Sequence, residues 1–525
     1  MLLLLSLLLF ILPACEERSS AAPTQPAPSS AVRWPAATAA GERAEPTRDA
    51  PLAVAASVIP TPTRQSTFHV AADGSDEEGL GTADRPWASI AYAVAQVPDQ
   101  ATIVVAPGVY HGQVALQRRF TQGVVVRAAQ PYQARLEYDK TVVTCYTCAG
   151  ITLEGFEIAH DGEGADRYVI QIQDIKGDGR GGQRVTLRNN VIHDSRNNDL
   201  VKINNGAGDI LLSANIFYNM GGPHRDSHLD VNSATNVVVE DNIFFNDFRA
   251  SNRANDHDTG SFLVIKDSNG DDDANLGSHH VTVRRNIFLN WQGDEGNTFI
   301  VVGEDAVDYF QATDVLIENN LMLGNASDDM MQAAFQVRGS RDVTFRHNTV
   351  AGDLPSKAFA MRLARADGNP RNQNIAFYNN IWSDPTGTMG AEDGNDAGVF
   401  AVADPDDTES VVLHNNLYWN GGAPLPVAED ALVNADDDDA AVVGDPALGR
   451  QEAIRLPLWL REENQFADGS KSVREAFMRL VTAYGTPGTN SAALDAADPA
   501  YSVTDDILGR PRPAGATPDI GAVEG

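Results

Sequence analysis

The chain has little cysteine and few positive charges, and each shortage excludes a class of protein. Only three of its 525 residues are cysteine, which excludes a fold held by a framework of disulfides. Lys and Arg total 39 against 72 Asp and Glu, so the formal net charge is −33 at pH 7. Such a chain repels phosphate groups, so we do not expect nucleic acid or anionic lipid headgroups as general partners. Its hydrophobic content of 42% suffices for a large core.

The longest apolar run, residues 2–12, is too short to cross a membrane as a mature helix but suits the core of an export signal. It ends in Leu12-Pro13-Ala14-Cys15, which resembles the lipobox of bacterial lipoproteins. The resemblance implies that residues 1–15 are a lipoprotein-type signal peptide. Cys15 would then carry the lipid, and the exported protein would touch the membrane only through this anchor, facing outside the cytoplasm. An ordinary cleaved signal peptide is the alternative, since no Lys or Arg precedes the run.

Residues 16–66 are rich in Ala, Pro, Ser and Thr and have almost no apolar periodicity. Such a composition cannot bury enough apolar surface to order itself. We therefore predict a disordered tether that separates the signal region from a folded body beginning at residue 67.

The strongest pattern is a ten-residue phrase that recurs nine times between residues 151 and 411, about every 32 residues. Each copy opens with apolar alternation, which indicates a strand, as in Val185-TLRNNVIHD. Eight copies have Asn at the sixth position, and Phe156 takes that place in the first copy. Because Asn tolerates the left-handed conformation, we predict a sharp bend there. The eight residues are predicted to stack as a ladder inside successive coils: Asn190, Asn215, Asn242, Asn286, Asn320, Asn348, Asn380 and Asn416.

A second short strand precedes each phrase, with apolar residues at its first and third positions. These positions are predicted to point inward, and the second and fourth to point outward. One separate strand and one bent strand pair per coil predict an all-β fold, a single-stranded right-handed parallel β-helix over residues 67–420. A helix near residues 87–97 is expected to cap it. Residues 421–525 are expected to form a C-terminal extension that packs on the β-helix or caps it.

With these motifs the sequence resembles the bacterial pectate-lyase-like β-helix proteins over nearly all of residues 67–525. The opening Phe68-HVAADGSDEEGLGTADRPWASIAYAV and the ending Asp519-IGAVEG are similar to segments common among secreted members. The resemblance implies a polysaccharide partner. In lyases of this fold a Lys or Arg serves as base, often with calcium supplying positive charge. The fold also hosts hydrolases, epimerases and adhesins, so the resemblance does not fix the reaction.

Outward positions of the separate strands concentrate polar residues in the middle coils. The candidates for catalysis are Lys202, Asp230, Lys266 and His228, and those for substrate binding are Asn204, Asn232, Arg338 and Arg362. Lys202 and Asp230 are expected to touch, since adjacent coils lie about 4.8 Å apart. Lys202 or Lys266 would act as the base. Arg338 and Arg362, aligned in the same outward row, would hold substrate carboxylates.

Two functions follow from this row of side chains. The first is a calcium-assisted lyase acting on a uronate-containing polysaccharide, and the alternative is a non-catalytic carbohydrate-binding or adhesion module. A plain solvated ion pair between Lys202 and Asp230 would also explain the pattern. Hydrolysis needs paired carboxylates, and only Asp230 lies on the row, with Asp199, Asp226 and Asp258 on nearby loops, which weighs against it. We expect a monomer.

Calcium would be bound by Asp267, Asn269, Asp271 and Asp273, whose alternation is that of a calcium loop. The run lacks the Gly and distal Glu of an EF-hand, and an acidic turn with nothing bound is the alternative. The acidic run 436–439 is interpreted as a solvated turn. The pair Cys145 and Cys148 forms either a small disulfide or two buried thiols.

Overall fold

The computed structural model describes residues 66–525 apart from 163, 177–178, 271–272, 274–275, 325–329 and 390–398. The predicted signal peptide, Cys15, all of the tether but its last residue, and Asp271 lie outside the described residues. Within these, the chain visits three parallel sheets in turn and then begins the next coil on top of the last. The fold is a parallel β-helix, as predicted. No helix of the described chain is both long and apolar enough to span a membrane.

We name the three sheets A, B and C in the order in which each coil visits them. Sheet A contains Thr67–Val70, Thr102–Val105, Arg119–Ala128, Ala149–Glu154, Gln183–Arg188, Gly208–Ser213, Thr235–Glu240, Ser278–Arg284, Ala312–Glu318, Arg341–Arg346, Gln373–Tyr378 and Val411–His414. Sheet B contains Gly108–His111, Ala134–Tyr138, Glu157–His160, Val191–Ser195, Ile216–Met220, Ile243–Phe245, Ile287–Leu289, Leu321–Gly324, Thr349–Gly352, Ile381–Asp384, Leu417–Asn420 and Val442–Val443. Sheet C contains Val114–Ala115, Val143–Cys145, Ile170–Gln173, Val201–Asn204, Leu229–Asn232, Leu263–Lys266, Ile300–Val302, Phe335–Arg338, Ala358–Ala364 and Val399–Ala403.

The remaining elements lie near the two ends of the described chain. They are the α-helices Ile90–Gln96 and Val473–Leu480, the π-helical turn Val481–Gly485, the short 3₁₀ turns Ala435–Asp437, Arg461–Glu463 and Pro499–Tyr501, and the antiparallel pair Trp459–Leu460 with Gln465–Phe466.

Alternation along the strands builds the core. In the sheet C strand Val201–Asn204, Val201 and Ile203 are fully buried while Lys202 faces outward. Aromatic rings at equal places of successive coils stack inside, as in the column Phe217, Phe244, Phe288, whose ring centroids are 4.6 and 4.9 Å apart. Each such ring contributes about 1.5–3 kcal/mol through burial.

The predicted asparagine ladder is present and runs unbroken from Asn190 to Asn416. At each step the side-chain Oδ1 of one Asn accepts both the backbone N–H and the Nδ2 of the Asn one coil earlier, at 2.8–3.1 Å. Each Nδ2 also donates to a backbone carbonyl, such as that of Leu153 for Asn190. These buried amides are therefore satisfied, which is what makes a polar column inside an apolar core stable.

The expected left-handed bend lies one residue before each ladder position. The preceding residues have φ of +51° to +60°, among them Asn189, Ala214, Arg285 and His347. The prediction that the ladder asparagines themselves take this conformation was therefore wrong. The ladder side chain has to point inward to its neighbours, and the residue before it makes the turn.

Two other groups close the ends of the ladder. At its start the backbone N–H of Phe156 donates to Asn190 Oδ1 at 3.0 Å. At its end the buried Asp438 accepts the backbone N–H of Asn416 at 3.0 Å and its Nδ2 at 2.8 Å, together with the hydroxyl of Tyr418 at 3.1 Å. The interpretation of run 436–439 as a solvated turn was therefore wrong for Asp438, which replaces the asparagine that the next coil would supply.

The C-terminal residues cover the outer face of sheet B. Helix Val473–Leu480 begins where the Ser472 side chain accepts the N–H of Glu475. Its buried residues Val473 and Phe477 pack in one cluster with outward residues of sheet B such as Ile243. The C-terminal residues thus cover sheet B, whereas the predicted site residues lie on strands of sheet C.

Candidate functional site

Two lysines and one aspartate meet on three neighbouring strands of sheet C. The register pairs Lys202 with Asp230, and Lys202 Nζ donates to Asp230 Oδ2, as predicted. Lys266, at the end of the following strand, places its Nζ 3.8 Å from the same oxygen. Lys266 also bonds Glu304 and lies 3.2 Å from Asp305 Oδ2.

Two loop aspartates join this group. Asp199, just before the strand of Lys202, lies 3.8 Å from Lys202 Nζ and accepts the N–H of Ser227 at 2.7 Å. Asp226, in the loop before Asp230, interacts electrostatically with both Lys202 and Asp230. We call Asp199, Lys202, Asp226, Asp230 and Lys266 the central cluster. The sequence placed the two loop aspartates near the row of outward residues without showing that they reach it.

The pKa values of the central cluster reflect burial combined with dense charge. Burial raises the pKa of Asp226 to about 6; the attraction of Lys202 opposes the rise and the nearby Asp230 adds to it. Burial also raises the pKa of Asp199 well above its ordinary value. Burial alone would lower the pKa of Lys202, but attraction to Asp230 and Asp199 outweighs burial and raises it. The pKa of Lys266 is raised in the same way by Asp230, Glu304 and Asp305.

Two carboxylate oxygens of the central cluster have hydrogen-bonding capacity to spare. Asp226 Oδ2 and Asp230 Oδ1 are buried, and no described group donates a hydrogen bond to either. Leaving a buried polar atom unpaired costs about 1–3 kcal/mol. Such atoms in a charged groove suit a bound hydroxyl, water or proton donor.

His228 was predicted at the groove, and that prediction was wrong. Its side chain is fully buried inside the coil, stacked on Phe262 with centroids 4.3 Å apart. Its Nε2 bonds Asn246 Oδ1 at 3.0 Å, and burial lowers its pKa to about 3. His228 directly precedes the first inward position of its strand, where the chain has already turned toward the core.

The two predicted substrate-binding asparagines bond to protein groups. Asn204 Nδ2 donates to Gln173 Oε1 at 3.2 Å and to Asn205 Oδ1 at 2.8 Å. Asn232 holds a turn, because its Nδ2 donates to Ser268 Oγ at 2.6 Å and its Oδ1 accepts the N–H of Ser268 at 3.0 Å. Both are buried, so their direct role toward a substrate stays a prediction.

The two predicted arginines lie further along the same face, but in different rows. The register pairs Gln336 with Arg362 and Arg338 with Ala364, so Arg362 lies in the row of Lys202 and Asp230. The alignment that put Arg362 in the row of Arg338 was wrong by two residues, because the strand Ala358–Ala364 is longer than the repeat and carries an irregularity. Burial, followed by repulsion from Arg338, lowers the pKa of Arg362.

In the run 267–273 the described carboxylates accept hydrogen bonds from protein groups. Asp267 accepts the N–H of Asn269 at 2.8 Å and that of Gly277 at 2.7 Å. The carboxylate of Asp273 accepts the hydroxyl of Ser233 at 2.8 and 2.7 Å. Asp273 also lies close enough to Asp267 to interact with it electrostatically, and calcium binding by this run stays a prediction.

Among the described residues, three side chains of sheet B and its following loop bring possible metal-ligand atoms close together. His111, Glu137 and Asp161, near the start of sheet B, have ligand atoms within 4.8 Å of one another. Arg135 also contacts Glu137 and so competes for that carboxylate.

Of the two states left open for the cysteines, the structure has the disulfide between Cys145 and Cys148.

No family model matches the sequence, and no curated protein does. Several solved structures resemble the fold, among them the following three. Pectate lyase Pel9A has a TM-score of 0.47 at 13% identity, covering 88% of this chain and 97% of its own. XylC in complex with xylose has 0.43 at 14%, covering 87% and 98%. The GH136 lacto-N-biosidase from Eubacterium ramulus has 0.42 at 11%, covering 72% and 68%. Likenesses this remote carry nothing about activity, which has to follow from the side chains.

Proposed function

We propose that the chain hydrolyses glycosidic bonds of a polysaccharide bound along the outer face of sheet C. Asp226 is the general acid, and Asp230 is the carboxylate that acts on the sugar ring or on water. The observation that carries this proposal is that Asp199 and Asp226 lie close enough to Asp230 to interact with it electrostatically. Asp226 and Asp230 each have one buried oxygen to which no described group donates.

Glycoside hydrolysis requires one protonated and one ionised carboxyl group on either side of the bond. A pKa of about 6 keeps a usable fraction of Asp226 protonated near neutral pH, so this group can give a proton to the leaving oxygen. Asp230 lies between two lysine ammonium groups, which stabilise a negative charge on it. Different environments thus give two nearby carboxyl groups different roles.

The lysines support Asp230 and do not act as the base in this proposal. A general base has to be unprotonated, whereas the carboxylates around Lys202 and Lys266 raise the pKa of both amines. Their ammonium groups hold the Asp230 side chain in place. They also favour hydroxyl groups of a substrate in the groove.

A uronate-specific lyase is the second candidate. It is favoured by the arginines two and three strands beyond Lys266, since Arg338 and Arg362 lie close enough to repel each other and would attract substrate carboxylates. Its weak point is the base, because substrate binding would have to separate Lys202 or Lys266 from its carboxylates. Neither mechanism as proposed uses the calcium ion predicted at the run 267–273.

The two reactions leave different products. The full-length chain is incubated with a panel of neutral and acidic polysaccharides while reducing ends and the ultraviolet absorbance of unsaturated sugars are followed. Hydrolysis gives reducing ends without that absorbance, and β-elimination gives both. Asp226→Asn is expected to lower the hydrolytic rate by roughly 10²–10⁴-fold, and the exposed Asp367→Asn to leave it unchanged.

Three results would contradict the proposal of hydrolysis. They are unsaturated products, full activity in Asp226→Asn, and no cleavage of any polysaccharide in the panel. The last result together with retained sugar binding would favour the non-catalytic binding module.

We also propose that the protein acts outside the cytoplasm, anchored through a lipid on Cys15. The disulfide between Cys145 and Cys148 supports this location, because such bonds persist mainly in oxidising compartments. Metabolic labelling with a fatty acid is expected to mark the wild type and not Cys15→Ser. Equal labelling of both would contradict the anchor.

A further inference from the structure

An open cavity of about 450 Å³ lies against the early strands of sheet C, outside the central cluster. Three tyrosines and two cations provide most of its wall: Tyr138, Tyr146, Tyr168, Lys140 and Arg167. We call it the tyrosine cavity. None of these five residues was predicted from the sequence to belong to a site, because they lie at strand ends and in loops that do not follow the repeat.

The cavity wall is held in place by the β-helix. Tyr146 donates its hydroxyl to Gln171 Oε1 at 2.7 Å, and Gln171 Nε2 donates to Gln173 Oε1 at 3.3 Å and to Asn204 Oδ1 at 3.4 Å. The rings of Tyr146 and Tyr168 are half-buried, and burial raises the pKa of both hydroxyls. Rigid aromatic faces with a polar edge suit the apolar face of a sugar ring and its hydroxyl groups.

The cavity is basic in a strongly acidic chain. The backbone of Arg167 is fixed at φ +77°, with its N–H donating to Asn197 Oδ1 at 3.2 Å. Its guanidinium lies 3.7 Å from the exposed Asp166 and close enough to Tyr146 to oppose the rise in the pKa of that hydroxyl. Lys140 is exposed and, within the described chain, forms no ion pair. Two cations beside aromatic rings recognise a sugar that bears a negative charge.

The tyrosine cavity lies near the central cluster on the same sheet. The register pairs Gln171 with Lys202 and Lys202 with Asp230, so the cavity lies about two coils, roughly 10 Å, from Asp230. Tyr168 lies between them, near enough to interact electrostatically with Lys202 and the three aspartates. A short stretch of polysaccharide therefore reaches both places.

We infer that the tyrosine cavity binds an anionic sugar residue, one that carries a carboxylate or a sulfate, of the polysaccharide cleaved at Asp230. The statement that the bound polysaccharide is cleaved at Asp230 rests on the proposed function, whereas the binding in the tyrosine cavity does not. Arg167 and Lys140 bind the anionic group and the tyrosines stack on the ring. The acidic central cluster then acts on a neighbouring unit, away from the charge that it would repel.

Binding is measured by calorimetry on full-length Asp230→Asn, which removes turnover, with uronate oligosaccharides, their methyl esters and sulfated oligosaccharides of equal length. Adding Arg167→Ala and Lys140→Ala is expected to weaken binding of the charged sugars by ~10–100-fold and to spare the methyl esters. Replacing the exposed Arg450 and Lys471 by Ala removes the same charge elsewhere and is expected to change nothing. Tyr168→Ala is expected to weaken the binding of charged and neutral sugars equally.

The inference is overturned if the variant lacking both cavity cations binds charged sugars as tightly as the variant lacking Arg450 and Lys471. It is also overturned if the methyl esters bind as well as the free acids while sulfated sugars do not bind. A preference between the two charged probes identifies the anionic group. If only the proposed function fails, binding still depends on Arg167 and Lys140 but the wild type cleaves nothing. If cleavage occurs and does not depend on Arg167 and Lys140, only this inference is overturned.

Discussion

The asparagine ladder and the central cluster are both polar columns that climb the β-helix, one inside and one outside. The ladder repeats a single neutral side chain. Each amide donates to the Asn one coil later and accepts from the Asn one coil earlier. The central cluster joins five charged side chains from two loops and three strands. Two of its buried oxygens have no described donor.

This difference separates what folds the chain from what the chain does. A column with every hydrogen bond satisfied stabilises one register and has no capacity left for a ligand. A column with unpaired oxygens and raised pKa values costs stability and has capacity to bind and to exchange protons. We therefore expect substitutions in the ladder to change mainly the free energy of unfolding, and substitutions in the central cluster to change mainly activity.

The largest effect is expected from Asp230→Asn. Loss of the carboxylate that acts on the sugar should lower kcat/KM for hydrolysis by ~10³-fold or more. The fold should persist, because Lys202 keeps Asp199 and Lys266 keeps Glu304 as partners. Activity and the thermal midpoint are measured together. If Asp230→Asn loses its thermal stability together with its activity, Asp230 acts mainly in folding and not in catalysis.

The next largest effect is expected from Asn286→Ala in the middle of the ladder. The substitution leaves the backbone N–H of Asn242 and one of the two N–H bonds of its Nδ2 without an acceptor, so the free energy of unfolding should fall by ~2–4 kcal/mol. Denaturant unfolding measures it, with the exposed Asn490→Ala as the matched control. Equal stability of the two variants would mean that the ladder is not what fixes the register.

A smaller effect is expected from pH. The acid form of Asp226 is lost as pH rises through about 6, so kcat/KM for hydrolysis should fall with rising pH above that value, by up to tenfold per unit. In Asp226→Glu the alkaline limb should move, since a different carboxyl is in a different place. An alkaline limb that stays in place in Asp226→Glu would assign the proton to another group.

The smallest effect is expected from His228→Phe. The buried ring is neutral because its pKa is about 3, and its stacking on Phe262 is retained by Phe. Only the bond to Asn246 is lost, which should cost about 1 kcal/mol of stability and leave the pH profile of activity unchanged. A large loss of activity with a changed pH profile would return His228 to the site.

The fold could be predicted from sequence because the inner positions repeat. Alternating residues and one Asn per coil set the strands and the ladder, and the contact between Lys202 and Asp230 follows from counting coils. The errors occur where the chain leaves the repeat. Arg362 was misplaced by a strand longer than its neighbours. Asp438 was missed because a ladder cap needs only one residue, and one residue shows no period.

The central cluster was only half predicted for the same reason. Asp199 and Asp226 reach Asp230 from loops, and no pattern in the sequence reports how a loop folds back onto a strand. A weak signal existed, since each of the two aspartates comes one or a few residues before a strand of the row. The tyrosine cavity left no such signal, because its three tyrosines come from two coils and lie at different positions of the coil.

Asp438 gives the ladder a direction that has a practical consequence. At every step the donors of one Asn bond to an acceptor one coil closer to the C-terminus. Only at the last step is that acceptor not an asparagine. A whole coil inserted anywhere between Asn190 and Asn416 would meet a donor on one side and an acceptor on the other. The β-helix can thus be lengthened by inserting complete coils, whereas a C-terminal truncation before Asp438 removes the carboxylate that ends the ladder.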